Sequence, residues 1–253
     1  MADCEASIEA ACYADIGGRT HQQDRVAVLG KGDSKLLVLA DGLGGHSDGG
    51  LAAEAVVEAA EERLGEWAGG DAEELLASIV KAAHQRIRKV GAERRGSPHS
   101  TCVLLHISQT VAVWAHVGDS RMYHFESGKL VGRTLDHSIV ELMRLQGRLS
   151  EEEMKAHPDQ NRLYASLGGS RPPEPETGGA AVFEFSGFLL VSDGVWENAT
   201  NADMRDVFRG VELAAGVRRL VERAKANGGS SCDNLAAAGA RPSRRSPGSE
   251  RGH

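Results

Sequence analysis

Four aspartates lie at the ends of predicted apolar strands, and this placement suggests chemistry. They are Asp41, Asp119, Asp193 and Asp233, each followed at once by a small or polar residue, and a fifth, Asp24, lies just before residues 25–29. Strand ends hold side chains rigidly, so several of them can converge on one cavity. Clustered carboxylates raise one another's pKa unless a cation neutralises them. The pattern therefore predicts a site for a hard cation, Mg²⁺ or Mn²⁺, which prefers oxygen ligands.

A simpler interpretation treats each Asp-Gly pair as a turn, because this dipeptide is common in turns. It is adequate for a single pair. Four strand-end aspartates in distinct local contexts favour the metal site instead. Glycine after aspartate would also let the backbone approach an ion, so that its carbonyl could serve as a ligand.

The elements that must position these aspartates are short segments rich in Val, Leu and Ile. Strands are predicted at residues 8–16, 25–29, 36–40, 101–107, 111–117, 122–125, 181–185, 188–191 and 235–238. Apolar spacing and capping residues predict helices at 51–64, from Asp71 to about Gly91, after Ser150, and at 212–226. Because short turns join successive strands, we expect antiparallel sheets packed on each other with helices outside, an α+β layered domain.

Composition fits one globular domain and argues against nucleic-acid binding. The 253 residues are 41% hydrophobic and only 4% aromatic, which predicts an aliphatic core. The formal net charge is −7, and because residues 241–253 hold four Arg and one Glu, the remainder carries −10. Such an acidic body is unsuited to neutralising phosphates along a nucleic acid. We expect residues 1–240 to form a single domain and residues 241–253 a disordered basic tail.

Cysteine usage and hydropathy bear on the compartment. The four cysteines lack zinc-site spacing, so we expect reduced thiols, with Cys12 and Cys102 as small core residues. The first residues resemble no secretory signal, and no apolar run approaches 18 residues. These features predict a cytoplasmic protein with no membrane contact.

Seven short motifs then follow one another in a recognisable order. They are residues 15–24 with Arg19 and Asp24, 40–46 (Ala-Asp-Gly-Leu-Gly-Gly-His), 100–101, 117–123, 134–138, 192–197 and 233–235. In these motifs the chain resembles the bacterial metal-dependent protein phosphatases (protein phosphatase 2C-like) over about residues 10–240. The resemblance implies a four-layer α-β-β-α sandwich, two antiparallel sheets flanked by helix pairs. It also implies a mobile flap subdomain at about residues 147–169.

The resemblance assigns metal ligands residue by residue. Asp41 would bridge two metal ions, and the Gly42 carbonyl would bind one of them. Asp193 and Asp233 would hold the first ion, whereas Asp24 would support the second, largely through water. The implied cofactors are two Mg²⁺ or Mn²⁺ ions.

A third, more loosely held ion would bind at Asp119, and Arg19 would grip the substrate phosphate. The implied activity is hydrolysis of phosphoserine and phosphothreonine in proteins, with Arg19, Asp41, Asp193 and Asp233 as catalytic residues. A bridging water, acidified to hydroxide by two cations, would attack phosphorus in line. The cations and Arg19 would offset charge on the equatorial oxygens. The sequence has no Cys-x5-Arg loop, which disfavours a cysteine phosphoenzyme.

Two departures from the family pattern concern the metal site. Gln22-Gln23 stand where the family has Asn-Glu, which removes a carboxylate expected to hold water on the second ion. Leu43 stands where many eukaryotic members have a His proposed as general acid, so water or another residue would protonate the leaving group. His46 and His137 lie inside motifs and are interpreted as structural hydrogen-bonding residues.

Two other functions remain open at the level of sequence. The glutamine pair is compatible with a catalytically weak module that binds phosphoproteins, and a two-ion site could also cleave phosphodiesters. The acidic body argues against phosphodiester cleavage.

The expected partners are a phosphoprotein substrate and a Ser/Thr kinase pathway, with the chain itself a monomer.

Overall fold

Eleven strands form two antiparallel sheets in the residues that the computed structural model describes, 6–44, 48–150, 153–154 and 157–244. The strands are β1 (Ala6–Asp15), β2 (Asp24–Lys31), β3 (Ser34–Leu43), β4 (His99–Ser100), β5 (Cys102–Ile107), β6 (Val111–Val117), β7 (Arg121–Glu126), β8 (Lys129–Arg133), β9 (Glu176–Ala181), β10 (Ser186–Val191) and β11 (Leu235–Arg244). The helices are α1 (Asp48–Glu66), α2 (Ala72–Arg94), α3 (Ile139–Leu145), α4 (Asp193–Trp196), α5 (Asn201–Asp206) and α6 (Leu213–Gly228).

The two sheets have different strand orders. One runs β1-β11-β10-β7-β8, and the other runs β2-β3-β5-β6-β9, with β4 paired to β3 beside it. All of these pairs are antiparallel. The antiparallel layered fold predicted from the short turns is therefore confirmed.

Three apolar clusters fill the spaces between the layers. Each sheet contributes side chains on both of its faces, because side chains alternate between the two faces of a strand. On β3, Leu36 and Val38 pack with α1 and α2, whereas Leu37 and Leu39 pack against the other sheet. The same alternation on β10 and β11 directs one set of side chains toward α6 and the other set between the sheets. The layers therefore stack in the order α-β-β-α.

The strand predicted at residues 181–185 is wrong, because β9 ends at Ala181 and the next four residues lead into β10. The amide of Phe183 donates to Ser186 Oγ at 2.9 Å, and the Ser186 amide donates to Phe183 O at 3.0 Å, which closes a tight turn. Phe183 and Phe185 are 61% and 67% exposed. Their alternation with Val182 and Glu184 resembled a half-buried strand but belongs to this turn.

Three further details differ from expectation. Strand β11 continues to Arg244, so the domain extends past residue 240, and Arg241 Nε donates to Glu9 Oε2 at 2.8 Å. Cys102 is buried as predicted, but Cys12 is exposed on β1 and is not a core residue. Strand β8 and helices α3, α4 and α5 have no counterpart in the sequence-based elements.

The residues predicted to cap two helix starts form the expected hydrogen bonds, although residues 151–152 and 155–156 of the helix predicted after Ser150 lie outside the described residues. Asp71 accepts a 2.8 Å hydrogen bond from the Glu73 amide at the start of α2. Ser150 and Glu153 bond reciprocally, with 2.7 Å from the Ser150 amide to Glu153 Oε2 and 3.2 Å from the Glu153 amide to Ser150 Oγ. Among the described residues, no helix is both long and apolar enough to cross a membrane.

Candidate metal centre and phosphate site

The five aspartates come from five different places in the chain. Asp24 is the first residue of β2, Asp41 lies near the end of β3, Asp119 lies between β6 and β7, Asp193 begins α4 directly after β10, and Asp233 lies just before β11. Asp24 and Asp41 are directly opposite each other in the β2–β3 register. After the effect of burial, the charges of the other four all act on Asp41 and raise its pKa. The structure thus brings together every aspartate that the sequence singled out.

Asp24 is held by a buried hydroxyl. Ser192 Oγ donates to Asp24 Oδ2 at 2.7 Å and accepts from the Ala236 amide at 2.9 Å. Asp24 Oδ1 is buried and has no hydrogen-bond partner among the described residues. Such an orphaned, fully buried carboxylate oxygen is costly unless a further ligand, such as a cation or its water, satisfies it.

Asp193 and Asp233 lie on turns whose backbones pack directly against each other. The Gly194 amide bonds Asp193 Oδ1 at 2.6 Å, and the Asn234 amide bonds Asp233 Oδ1 at 2.8 Å. A Cβ on Gly194 would lie only 2.1 Å from Asn234 O, so no side chain fits at this position. The close approach brings both carboxylates to the same end of the two sheets.

Mutual repulsion and burial shift the acidities of this cluster. Burial first, and then the charges of the other four aspartates, raise the pKa of Asp41 well above its usual range. Burial and then Asp119 do the same for the pKa of Asp193. The pKa of Asp24 rises to about 7 through burial and the charge of Asp233. These carboxylates must therefore take up protons or be neutralised by cations.

Asp119 lies at the other side of the cluster, next to a buried ion pair. Burial, followed by the charge of Asp136, raises the pKa of Asp119 to about 7. Trp196 Nε1 donates to Asp119 O at 2.9 Å, and the guanidinium of Arg121 lies 3.5 Å above the Trp196 ring. Arg121 binds both carboxylate oxygens of Asp136, at 2.8 and 2.6 Å. A narrow cavity here is lined by Asp119, Arg121, Asp136, Val140, Met154, Gln160, Trp196 and Glu197.

Arg19 reaches the same site from the loop between β1 and β2. Its Nη2 atom lies 2.7 Å from Asp233 Oδ2, and the two side chains are 55% and 40% exposed. Gly17 has a φ of +66°, and a Cβ there would lie 2.0 Å from Asp233 O. The Gly18 amide donates to Cys232 O at 2.9 Å. A guanidinium is therefore presented at the open side of the carboxylates, where it can bind a phosphate bidentately.

The glutamine pair has its own structural partners. Gln22 Oε1 accepts from the Asp24 amide at 3.1 Å, the Gln23 amide donates to Asn234 Oδ1 at 2.7 Å, and Gln23 Nε2 donates to Gly44 O at 3.2 Å. Both residues therefore shape the site, although neither supplies a carboxylate. That Gln22-Gln23 weakens the second ion stays a prediction.

Gly42 is required by packing as well as by any approach to an ion. A Cβ on Gly42 would lie 1.9 Å from Gly49 O at the start of α1. The role of the Gly42 carbonyl as a ligand stays a prediction. Leu43 pairs with His99 in the β3–β4 register, and His46 lies outside the described residues.

Two residues of the site were quoted in motifs but not assigned a role. Ser192, one position before Asp193, fixes Asp24, and Glu197 raises the pKa of both Asp193 and Asp119 after the effect of burial. Glu197 follows Asp193 by four positions, a spacing that places two residues on the same face of a helix. That spacing could have identified it.

The donor set fits divalent cations. It consists of carboxylate oxygens and contains a buried oxygen without a partner among the described residues, and burial followed by mutual repulsion raises the pKa of Asp24, Asp41 and Asp193. These are the properties of a site for hard, oxygen-binding ions such as Mg²⁺ and Mn²⁺.

Comparisons with known proteins agree with this geometry. The family model of protein phosphatase 2C matches residues 14–228. Protein phosphatase PhpP of Streptococcus pneumoniae is 30% identical over 244 residues, which cover 91% of this chain and 96% of that protein.

Solved structures give the same result. The S. agalactiae serine/threonine phosphatase is 29% identical with a TM-score of 0.81, over 92% of this chain and 99% of that one. The catalytic domain of the serine/threonine phosphatase PstP, solved with two manganese ions, is 26% identical with a TM-score of 0.82, over 94% and 99% of the two chains. The chain belongs to the protein phosphatase 2C family.

Proposed function

We propose that this protein is a metal-dependent protein serine/threonine phosphatase. The observation that carries the proposal is the convergence of Asp24, Asp41, Asp119, Asp193 and Asp233 at one end of the sheets, with Arg19 beside them. Family membership supports the activity, and a relative solved with two manganese ions supports the cofactor. Divalent cations at this site would supply positive charge. They would also lower the pKa of water so that hydroxide is available as a nucleophile near neutral pH.

The chain's own residues bind the cofactor and the phosphate. Asp41, Asp193 and Asp233 would hold the cations, with the Gly42 carbonyl as a further ligand and Asp24 supporting the second ion. Asp119 would hold a third. Arg19 would bind two phosphate oxygens through its planar guanidinium and so orient the phosphorus for in-line attack.

Ser192 and the backbone amides of Gly194 and Asn234 fix the carboxylates before substrate arrives. Such preorganised groups stabilise a transition state because they need not reorient during the reaction.

The finer features of the proposal rest on the same site. We place the flap at residues 147–169, because Met154 and Gln160 line the cavity beside Asp119. The Ser100 and Leu167 backbones form an isolated bridge, which connects this segment to the strand pair that carries Asp41.

We further propose that the chain acts in the cytoplasm as a monomer, uses Mg²⁺ as well as Mn²⁺, and reverses a Ser/Thr kinase in signalling.

The test is hydrolysis of a phosphothreonine peptide and of a generic aryl phosphate, with and without Mn²⁺. We expect metal-dependent turnover in the wild type and a loss of two or more orders of magnitude, roughly, in Asp193→Ala, because that change removes a ligand of the cation. Asp33→Ala is the matched control, since Asp33 is exposed in the β2–β3 turn. It should keep wild-type activity.

Other results would contradict the proposal in different ways. If neither substrate is hydrolysed with Mn²⁺ although calorimetry shows phosphopeptide binding, the chain is a phosphoprotein-binding module. If a bis-aryl phosphate is hydrolysed faster than the monoester, the activity is phosphodiester cleavage.

A further inference from the structure

A second group of potential metal ligands lies outside the aspartate cluster. In the part of the chain that the structure describes, His116, His137 and Glu176 each offer one ligand atom within 4.8 Å of those of the other two. His116 is on β6, Glu176 begins β9, and the two residues are directly opposite in the β6–β9 register. His137 lies just before α3. Two imidazoles and one carboxylate are a donor set that binds Zn²⁺ in proteins.

His116 has the hydrogen bonding of a metal ligand. It is 1% exposed, and its Nε2 atom lies 2.8 Å from the carbonyl oxygen of Leu135, to which it donates. That bond leaves a lone pair on Nδ1, and this atom is buried without a partner among the described residues. Metal-binding histidines typically donate their other ring N–H to a carbonyl or carboxylate in this way.

His137 and Glu176 are spaced to share an ion. His137 Nε2 lies 3.6 Å from Glu176 Oε2, which is too long for a good hydrogen bond but matches the separation of two ligands that each lie about 2.0–2.2 Å from one Zn²⁺. His137 Nδ1 accepts a 3.3 Å hydrogen bond from the Gly118 amide. For Nε2 to bind an ion, its proton would move to Nδ1, and this one long hydrogen bond would be lost.

The site lies where a long excursion of the chain begins and ends. The chain leaves one sheet at Arg133, passes through His137 and enters the other sheet at Glu176, and residues 147–169 lie between His137 and Glu176. Tyr164, inside that excursion, stacks on His137 with ring centroids 5.4 Å apart, and its amide donates to His137 O at 2.9 Å. An ion bound here would therefore fasten both ends of the excursion to β6.

We propose that His116, His137 and Glu176 bind a Zn²⁺ or similar transition-metal ion, separate from the aspartate site, that fixes the base of the 138–175 segment. Imidazole ligands favour Zn²⁺, whereas the all-oxygen aspartate site suits Mg²⁺ and Mn²⁺. The two sites can therefore be loaded with different ions. The proposal does not depend on phosphatase activity.

The experiment titrates Zn²⁺ into the full chain in the presence of excess Mg²⁺, and follows binding by equilibrium dialysis. We expect one equivalent of Zn²⁺ to bind, with affinity reduced about tenfold or more in Glu176→Gln. Glu176 is 51% exposed, so this variant is expected to fold. Glu174→Gln, two residues away and also exposed, is the matched control and should bind as the wild type does.

Two further readouts are independent of activity. Co²⁺ in place of Zn²⁺ should give visible absorption that Glu176→Gln weakens, and Zn²⁺ should slow backbone hydrogen exchange in residues 157–169. The proposal is wrong if the wild type binds no Zn²⁺ once Mg²⁺ is present. It is equally wrong if Glu176→Gln binds Zn²⁺ as tightly as the wild type, because the ion would then be held by other residues.

Discussion

Arg19 and Asp233 form a 2.7 Å ion pair although they lie 214 positions apart in the chain. Both side chains are substantially exposed, so the pair contributes little to stability. Its effect is positional, since it holds the guanidinium that we propose binds phosphate against a carboxylate of the proposed metal site.

The first prediction concerns Arg19. We expect Arg19→Ala to lower kcat/KM on a phosphothreonine peptide by about 100-fold, because a charge-assisted contact to the phosphate is lost. The kcat/KM of Arg19→Lys should lie between those of the wild type and Arg19→Ala, since lysine keeps the charge but cannot bind two oxygens in a planar fork. Thermal unfolding should shift little in either variant. Wild-type kcat/KM in Arg19→Ala would contradict the assignment.

The second prediction concerns Ser192, whose hydroxyl joins Asp24 to the Ala236 amide. In Ser192→Ala we expect the Mn²⁺ concentration for half-maximal activity to rise about tenfold, since Asp24 is no longer oriented. Stability should fall by about 1–3 kcal/mol because a buried amide loses its acceptor. Ser78→Ala on α2, which breaks only a bond to Leu75 O, is the control for the metal effect. An unchanged Mn²⁺ requirement in Ser192→Ala would count against the role of Ser192.

The third prediction concerns pH and metal removal. The pKa of Asp24 and of Asp119 is raised to about 7 in the metal-free fold, against about 3.9 in an unfolded chain. The folded state thus binds these protons more tightly, so their contribution to stability is complete below about pH 4 and is lost as the pH rises through about 7.

With EDTA present, the urea concentration at the midpoint of unfolding should therefore be lower at about pH 8 than at about pH 6. Mg²⁺ should raise the midpoint more at the higher pH, because it replaces the lost protons. Asp24→Asn should show a weaker pH dependence, since it removes one of the titrating groups. A midpoint that rises with pH in EDTA would have the wrong sign.

The fourth prediction concerns the buried pair of Arg121 and Asp136, whose side chains are 5% and 3% exposed. Arg121→Met should destabilise the protein by about 3–5 kcal/mol, because it leaves a buried carboxylate without its main partner. Adding Asp136→Leu should recover much of that loss. Urea unfolding of the two single variants and the double variant measures the coupling. Additive effects would show that the pair is not coupled.

Much of the site could be predicted because its ligands occur in short motifs beside regular strands. Asp24 directly precedes the apolar run of β2, Asp41 directly follows that of β3, and Asp193 comes two residues after the end of β10, so all three could be identified from local patterns. The continuous apolar run at residues 36–40 likewise predicted a strand, and the structure buries that strand on both faces.

Local patterns failed where a segment is short or its pattern is ambiguous. Strand β8 is almost wholly exposed and contains Gly132, so it lacks the apolar alternation of a strand. The alternation through Phe183 and Phe185 was misleading because period two does not distinguish a strand from a turn that exposes both rings. Helix α4 has four residues, too few to show a helical period.

The sequence by itself determined the layered antiparallel class, the aliphatic core and the five aspartates, because each depends on neighbouring residues. Only the tertiary structure decided that Arg19 binds Asp233, that Ser192 fixes Asp24, and that one oxygen of Asp24 is left without a partner. It also brought His116, His137 and Glu176 together. These contacts join residues that the chain separates widely, so strand register and the packing of the two sheets create them, and no local pattern encodes them.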